Sequence, residues 1–214
     1  MEHLARTFDK KTTFYIPRKK LTIKIDYLAR EDLLGAATLH KENLSYSLNS
    51  GLGKQHLFNL YRLMLLDNNS KCAGIWLNGK LVAVGSISVD VRKSKTFIIK
   101  NMTLAEIFTI SLRLIFSYLL FKKLIFEFML SRKTPDFLGA AELTSIVVHK
   151  DHQDKGLGGQ LLGFLELSAA NMGANYIIAD ARSPQAIKFY LKNEWMILTV
   201  FKDACILKKH IKVS

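Results

Sequence analysis

The chain has 214 residues, of which 49% are hydrophobic, and a formal net charge of +13 at pH 7. This length suits one domain with additions, and the composition fits a globular core and excludes a collagen-like or disordered chain. The charge is compatible with a solvated basic surface, or with binding to nucleic acid, an anionic membrane face or a phosphate group.

The first residues and the cysteines indicate the cellular setting. Residues 1–20 form a basic extension without the continuous apolar stretch of a secretory signal, so we expect a cytoplasmic protein. Cys72 and Cys205 lie far apart, and neither is part of a CxxC or a Cys/His spacing typical of a zinc site. We therefore expect neither a disulfide framework nor a metal site. No RNA- or DNA-reading motif accompanies the basic residues, so we expect no nucleic-acid partner.

The first half of the chain predicts a strand, two helices and a β-hairpin. Apolar and polar residues alternate over residues 21–27, as in a half-buried strand. Helical spacing follows Asp32 and returns over residues 56–66. Asn78 and Gly79 then join two strand-like runs, and Asn-Gly is typical of a two-residue hairpin turn.

A long apolar segment over residues 101–137 is predicted to be a helical insertion. Its longest uncharged run is the eight residues between Arg113 and Lys122, well below the ~20 that a membrane-spanning helix needs. Polar residues recur at helical spacing, which gives one narrow stripe of mixed charge on an otherwise apolar surface. The pattern favours burial within the protein or against a second subunit, as in a homodimer, over a membrane surface.

The second half of the chain predicts strands and helices in alternation. A strand over residues 143–148 precedes a glycine-rich turn and a helix from about residue 157 to residue 172. A strand over residues 176–181, a short helix over residues 185–192 and two closing strands follow. The whole order predicts a single α/β (α+β) domain over residues 1–214.

The turn in "HQDKGLGGQL" contains Gly156, Gly158 and Gly159 between a strand and a helix. Such a turn binds phosphate, because backbone N–H groups converge there and the helix dipole favours an anion. A P-loop would need Lys-Ser or Lys-Thr after its second glycine, and neither occurs. A dinucleotide fingerprint is disfavoured because Leu161 takes the third glycine position, although Asp180 lies 24 residues after Gly156.

Two stretches resemble motifs of the GCN5-related N-acetyltransferase (GNAT) superfamily. "QDKGLG" resembles its [Arg/Gln]-x-x-Gly-x-[Gly/Ala] element, which binds the pyrophosphate of acetyl-CoA. "SPQAIKFYLKNEW" resembles a later helix of the family, with Ala186, Phe189 and Tyr190 in matching positions. The resemblance covers roughly residues 21–211. It implies the GNAT fold, a mixed, mostly antiparallel, twisted sheet of about seven strands flanked by helices, with the helical insertion between strands 3 and 4.

The resemblance also implies acetyl-CoA as the acetyl donor. Backbone amides of the glycine turn would surround the pyrophosphate, and a Cβ at the closest positions would obstruct that approach. Where the family splays its fourth strand from its fifth, unpaired amides would hold pantetheine and the thioester carbonyl. The implied cofactor-binding residues are Ile146, Val147, Val148, Gln153, Asp154, Lys155, Gly156, Leu157, Gly158, Gly159 and Ser183, the last in place of the usual asparagine.

The resemblance implies two catalytic side chains. Glu142 lies 11 residues before Gln153, the offset at which histone-type members place a general base. An ordinary glutamate titrates at about 4.3 and an alkylamine at about 10.4, so Glu142 would need desolvation or a water relay to act as a base. The alternative is a solvated carboxylate at the start of a strand. Tyr190 matches the tyrosine that assists the leaving sulfur; the alternative is a core tyrosine.

The implied activity is transfer of acetyl from acetyl-CoA to a primary amine of a small molecule, by direct attack in a ternary complex. "LNSGLGKQHLFNLYRLML" resembles acetyltransferases that modify amino sugars for surface polysaccharides, so an amino sugar is the preferred acceptor. Tyr46 and His56 lie where relatives build the acceptor pocket. A protein, peptide or polyamine acceptor remains an alternative, as does a non-catalytic CoA-binding module.

Overall fold

The structure is a computed structural model that describes residues 22–44, 46–133, 140–202 and 204–211. The basic extension over residues 1–20 and the end of the predicted insertion, residues 134–137, lie outside the described residues.

A central sheet is formed by seven strands of the described chain. They are β1 (Ile23–Tyr27), β2 (Ser70–Leu77), β3 (Lys80–Ser88), β4 (Ala140–Val148), β5 (Tyr176–Ala181), β6 (Met196–Phe201) and β7 (Ala204–His210). Their order across the sheet is β1-β2-β3-β4-β5-β7-β6. Every neighbouring pair is antiparallel except β4 and β5, which are parallel. The predicted mixed, mostly antiparallel sheet is confirmed.

Helices flank the sheet, and most of them lie where the sequence predicted them. They are α1 (Leu33–Asn43), α2 (Leu48–Gly51), α3 (Lys54–Leu66), α4 (Val91–Lys100), α5 (Leu104–Phe116), α6 (Tyr118–Lys133), α7 (Leu157–Asn171) and α8 (Pro184–Lys192). The helical insertion between β3 and β4 begins at Val91 rather than at residue 101. The cause is a side-chain cap, because Asp90 accepts a hydrogen bond of 2.9 Å from the Lys93 amide and so starts α4.

The two faces of the sheet bury different helices. Successive strand residues point to opposite faces. Cys72, Val84 and Val147 therefore pack with α1 and α3 on one face, while their chain neighbours pack with α7 on the other. On α7, Leu161 and Leu165 are fully buried, and each side chain contributes about 2 kcal/mol through the area it removes from water.

A chain of polar side chains crosses the core from α1 to β4. His40 Nδ1 lies 2.9 Å from the Tyr61 hydroxyl, which lies 3.4 Å from Ser145 Oγ. Ser145 Oγ in turn lies 2.8 Å from Ser86 Oγ. His40 is 3% exposed, and its Nε2 has no hydrogen-bond partner among the described residues. Burial, and then the nearby His56, lower the pKa of His40 to about 4.

We expect the free energy of unfolding to decrease as the pH falls from about 6.5 to about 4. His40 titrates at 6.5 when unfolded and at about 4 when folded, so the unfolded state binds more protons in this window. The full shift corresponds to about 3 kcal/mol. Urea unfolding at pH 7 and pH 4.5 measures the loss, which should be smaller in His40→Gln. The same loss in wild type and variant would contradict this prediction.

Candidate active site

The strands β4 and β5 separate inside the sheet. They pair over residues 140–142 and 176–178 only, although both strands continue beyond these residues. On the other side of β4, the register with β3 shifts between Ser86 and Ile87, which leaves Thr144 as an extra, bulged residue. A wedge-shaped opening therefore begins directly after Glu142.

Backbone groups of β4 point into this opening. The His149 amide donates to the Val82 carbonyl of β3 at 2.8 Å. Because strand residues direct their N–H groups alternately to the two sides, the Val147 amide also points to β3, while those of Ile146 and Val148 point into the opening. Two of the three residues predicted to offer free amides have this geometry. Val147 does not, because of its place in the alternation.

The glycine turn lies at the start of α7. Gly156 adopts a left-handed conformation with φ of 79° and caps the helix. The first helical hydrogen bond runs from the Gln160 amide to the Gly156 carbonyl at 3.1 Å. The amides of Leu157, Gly158 and Gly159 therefore have no acceptor within the helix. Together with the helix dipole, they form a site for an anion.

The glycines also allow close packing of the turn against its neighbours. A Cβ on Gly158 would lie 3.1 Å from the Phe189 ring of α8 and 3.6 Å from Val148 Cγ2. A Cβ on Gly159 would lie 3.1 Å from Asn193 Oδ1. Sequence reasoning explained these glycines by approach of a ligand alone. The structure adds that Gly158 holds the start of α7 against α8 and the end of β4.

The remaining residues predicted to bind the cofactor surround the turn. Gln153 Nε2 donates to the Val148 carbonyl at 3.0 Å, which ties the turn to the opening. Lys155 Nζ donates to the Asp151 carbonyl at 2.7 Å, and Asp154 has a positive φ of 58°. Ser183 Oγ accepts a 3.1 Å hydrogen bond from the Ala186 amide and caps α8. The Ser183 side chain therefore serves its own helix.

Glu142 lies at the mouth of the opening, in the last pair that joins β4 to β5. It is half-buried, and burial raises its pKa above the ordinary value. Lys95 opposes this rise in the pKa, whereas Asp180 and Glu127 add to it. A raised pKa makes the carboxylate a better proton acceptor than a freely solvated glutamate.

An arginine joins the helical insertion to this mouth. Arg182 Nη2 donates to Glu127 Oε2 on α6 at 2.7 Å, and Arg182 Nε donates to Asp180 Oδ2 on β5 at 2.9 Å. The guanidinium also lies 5.0 Å from the centroid of the Phe126 ring. The site therefore contains three carboxylates, and sequence reasoning had assigned a role to Glu142 alone.

Tyr190 lies on α8 and is 5% exposed. Its ring contacts those of Phe189 and Trp195, with centroids 5.2 and 4.9 Å away. Burial raises the pKa of its phenol above the ordinary value of 10.0, and the charges of Asp180 and Tyr46 raise it further. Tyr190 is therefore a neutral phenol, packed in the core with Ala179 and Ala181 of β5.

The insertion and the first helices together enclose the side of the site where an acceptor is expected. Arg113 Nη1 on α5 donates to the Leu52 carbonyl at 2.7 Å. His56 Nε2 lies 3.2 Å from Asn49 Oδ1, and burial lowers its pKa. Among the described residues, no group of three or more His, Cys, Asp or Glu side chains is arranged to hold a metal ion.

Splayed strands with free amides, beside a glycine turn at a helix N-terminus, form a site that suits the pyrophosphate and thioester of an acyl-CoA. Comparison of the sequence with protein families agrees, since the acetyltransferase (GNAT) domain matches residues 123–197. This match covers the later motifs and about a third of the chain, and the resemblance found in the motifs is confirmed over these residues. The protein is an acetyl-CoA-dependent acetyltransferase. No curated protein matches the chain in sequence.

Solved structures share the fold over nearly their whole length. The PaiA N-acetyltransferase from Thermoplasma acidophilum, in complex with coenzyme A, has a TM-score of 0.59 and 13% identity, covering 88% of this chain and 99% of its own. The ribosomal-protein-S18-alanine N-acetyltransferase from Escherichia coli has a TM-score of 0.56 and 16% identity, with coverages of 90% and 96%. The yncA structure from Salmonella typhimurium, with its cofactor acetyl-CoA, has a TM-score of 0.54 and 15% identity, with coverages of 89% and 94%.

Proposed function

We propose that the protein transfers acetyl from acetyl-CoA to a primary amine of a small molecule, with an amino sugar as the preferred acceptor. The observation that carries the proposal is the group of carboxylates at the mouth of the sheet opening, Glu127, Glu142 and Asp180. These carboxylates attract an ammonium group and supply a proton acceptor beside it. The resemblance of residues 48–65 to amino-sugar acetyltransferases supports the choice of acceptor.

Main-chain groups would hold the donor. The turn amides from Lys155 to Gly159 would bind the pyrophosphate, and the Ile146 and Val148 amides would bind the pantetheine and the thioester carbonyl. Backbone donors fixed by the sheet and by α7 need no reorganisation when negative charge develops on that carbonyl oxygen. The residues present therefore fit acetyl-CoA as a bound donor.

Glu142 would remove the proton from the acceptor ammonium, directly or through a water molecule. The amine must lose its proton before it can attack, and an alkylammonium has a pKa of about 10.4. Burial raises the pKa of Glu142 above its ordinary value, which reduces the difference between the pKa of the ammonium and that of the carboxyl group. Glu127 and Asp180 would keep the ammonium close during this step.

Tyr190 would assist the leaving sulfur as a hydrogen-bond donor. Even an ordinary phenol, with a pKa of about 10, gives its proton to a thiolate with a pKa of about 8.5 at a cost of about 2 kcal/mol. Burial raises the pKa of Tyr190 further, so complete transfer of its proton is still less favourable. A hydrogen bond from the neutral phenol to the sulfur avoids that cost.

Direct attack by the acceptor is supported by the state of the thiols. Cys72 is 1% exposed on β2, and burial raises its pKa to about 12. Cys205 is 9% exposed on β7. These are the two cysteines of the chain, and a buried neutral thiol is a poor nucleophile. An acetyl-cysteine step is therefore not favoured.

Release of coenzyme A from acetyl-CoA, measured with a panel of amines, tests the proposal. We expect release that depends on the acceptor, fastest with amino sugars, together with an acetylated product of the corresponding mass. N-terminal peptides and polyamines form the comparison arms, and preference for either would replace the proposed acceptor. Binding of coenzyme A without turnover of any amine would indicate a non-catalytic module instead.

A further inference from the structure

The bend between α5 and α6 exposes a cluster of large apolar side chains. Ile115 is 73% exposed, Phe116 83%, Tyr118 80% and Leu119 60%. We call these four residues the apolar tip. No residue of α5 is buried in the described structure. The described residues bury Leu120 and Leu130 of α6, but they do not provide the burial that the sequence predicted for α5 and the bend.

The charges around the apolar tip are arranged by sign. Both acidic residues of α5 and α6 face the protein, because Glu106 contacts Arg62 at 3.7 Å and Glu127 pairs with Arg182 at 2.7 Å. The Glu106 side chain is only 14% exposed. Lys122 is exposed on α6, one turn after Leu119, whereas Lys95 and Lys100 lie on α4, before the start of α5. The outer surface of the insertion is thus both apolar and cationic.

The shape of the insertion indicates contact with one side of a bilayer. No single described helix is long and apolar enough to cross a membrane; α5 and residues 118–130 together pass by length and composition, but they are bent by 106°. At 1.5 Å per residue, the 13 residues of α5 extend about 20 Å, less than a hydrocarbon core of about 30 Å. A bent pair of short helices can place its tip below the headgroups of one leaflet.

We propose that the apolar tip docks on the surface of an anionic lipid bilayer. Ile115, Phe116, Tyr118 and Leu119 enter the headgroup region, and Lys122 contacts anionic headgroups beside them. Charge complementarity selects this partner over a second copy of the chain. Each copy carries +13, so two copies repel each other, whereas an anionic bilayer attracts the same charge. This inference does not depend on the acceptor or on the chemistry proposed for the site.

Co-sedimentation of the full chain with vesicles tests the proposal. We expect binding to vesicles of phosphatidylcholine with phosphatidylglycerol, weaker binding to phosphatidylcholine alone, and loss of the electrostatic part at high salt. The double variant Phe116→Ser/Tyr118→Ser should partition about tenfold or more weakly, because two exposed apolar side chains no longer enter the bilayer. Unchanged coenzyme A binding by the variant shows that its fold is retained.

A matched control removes similar exposed apolar area elsewhere. Leu66 and Val200 are each 61% exposed and lie on α3 and β6. Leu66→Ser/Val200→Ser should bind the anionic vesicles like the wild type. Absence of wild-type binding, or equal binding by the tip variant, would overturn the proposal. So would a lipid-free dimer in analytical ultracentrifugation that the tip substitutions dissociate, because the tip would then contact a second copy.

Discussion

Replacing Gly158 with valine is expected to weaken coenzyme A binding about 100-fold or more. The new Cβ would lie 3.1 Å from the Phe189 ring and 3.6 Å from Val148 Cγ2, and the two valine methyl groups extend beyond it, so we expect α7 to shift at its first turn. The amides proposed to bind the pyrophosphate would shift with it. Hydrogen bonds to a charged group contribute about 1.5–3 kcal/mol each, so the loss of two gives this effect. Isothermal titration calorimetry with coenzyme A measures it.

Gly163→Ala provides the control on the same helix. Gly163 is exposed, and no described atom lies within 4 Å of the position its Cβ would take. We expect unchanged affinity for coenzyme A and a gain in stability of up to about 1 kcal/mol, because alanine favours the helix over glycine. If Gly158→Val bound coenzyme A as tightly as Gly163→Ala, the amides of this turn would not be the pyrophosphate site.

Glu142→Gln is expected to lower kcat by about 100-fold or more, the usual contribution of a general base. The KM for acetyl-CoA should change little, because the donor is proposed to be held by main-chain groups. The wild type should gain activity as the pH rises through the pKa of Glu142, since only the ionised carboxylate accepts a proton. Burial raises that pKa, so this rising limb of the pH–activity profile lies at a higher pH than an ordinary glutamate would give. The variant should lack this limb.

Glu31→Gln is the matched control for the loss of one carboxylate. Glu31 is exposed in the short 3-10 turn before α1, away from the sheet opening. Its substitution should leave kcat and the pH profile unchanged. Retention of more than half of the wild-type kcat by Glu142→Gln, with the same pH profile, would show that Glu142 is not the base.

Local signals made most of the fold predictable. Alternation predicted β5 at residues 176–181, its observed bounds, and Asn-Gly predicted the β2–β3 turn, where Asn78 and Gly79 both have positive φ. The helix α4 was not predicted, although "VRKSKTFIIK" is amphipathic as a helix, because three of its four apolar residues are consecutive and also fit a strand. Its signal was Asp90, a capping residue whose carboxylate accepts from the Lys93 amide and also pairs with Lys93 Nζ, each at 2.9 Å.

The glycine turn was predictable because its motif is contiguous in the sequence. The pair between Arg182 and Glu127 was not, since the two residues are 55 positions apart and meet only when the insertion packs near the end of β5. Strand alternation implied that the N–H groups of Val147 and Val148 point in opposite directions. Only the register with β3 was needed to show which of the two points into the opening. The packing role of Gly158 depends on α8, which a local motif does not report.

The apolar content of the insertion predicted that its surface is covered, but did not identify the partner that covers it. Periodicity describes one helix at a time, and it cannot show whether the surrounding chain covers that helix. The bend between α5 and α6 is the feature that decides this, because it directs Phe116 and Tyr118 away from the described structure. A bend at Ser117 carries no strong sequence signal.

The guanidinium of Arg182 has a consequence for how a reaction cycle would end. It neutralises part of the negative charge of Glu127 and Asp180, and Lys95 offsets part of that of Glu142, so the three carboxylates keep a net negative charge for an arriving cation. An ammonium supplies that cation, but an amide does not, because acetylation removes the charge. The negative charge of the site attracts the cationic acceptor but not the neutral amide. Product release would then need no conformational change.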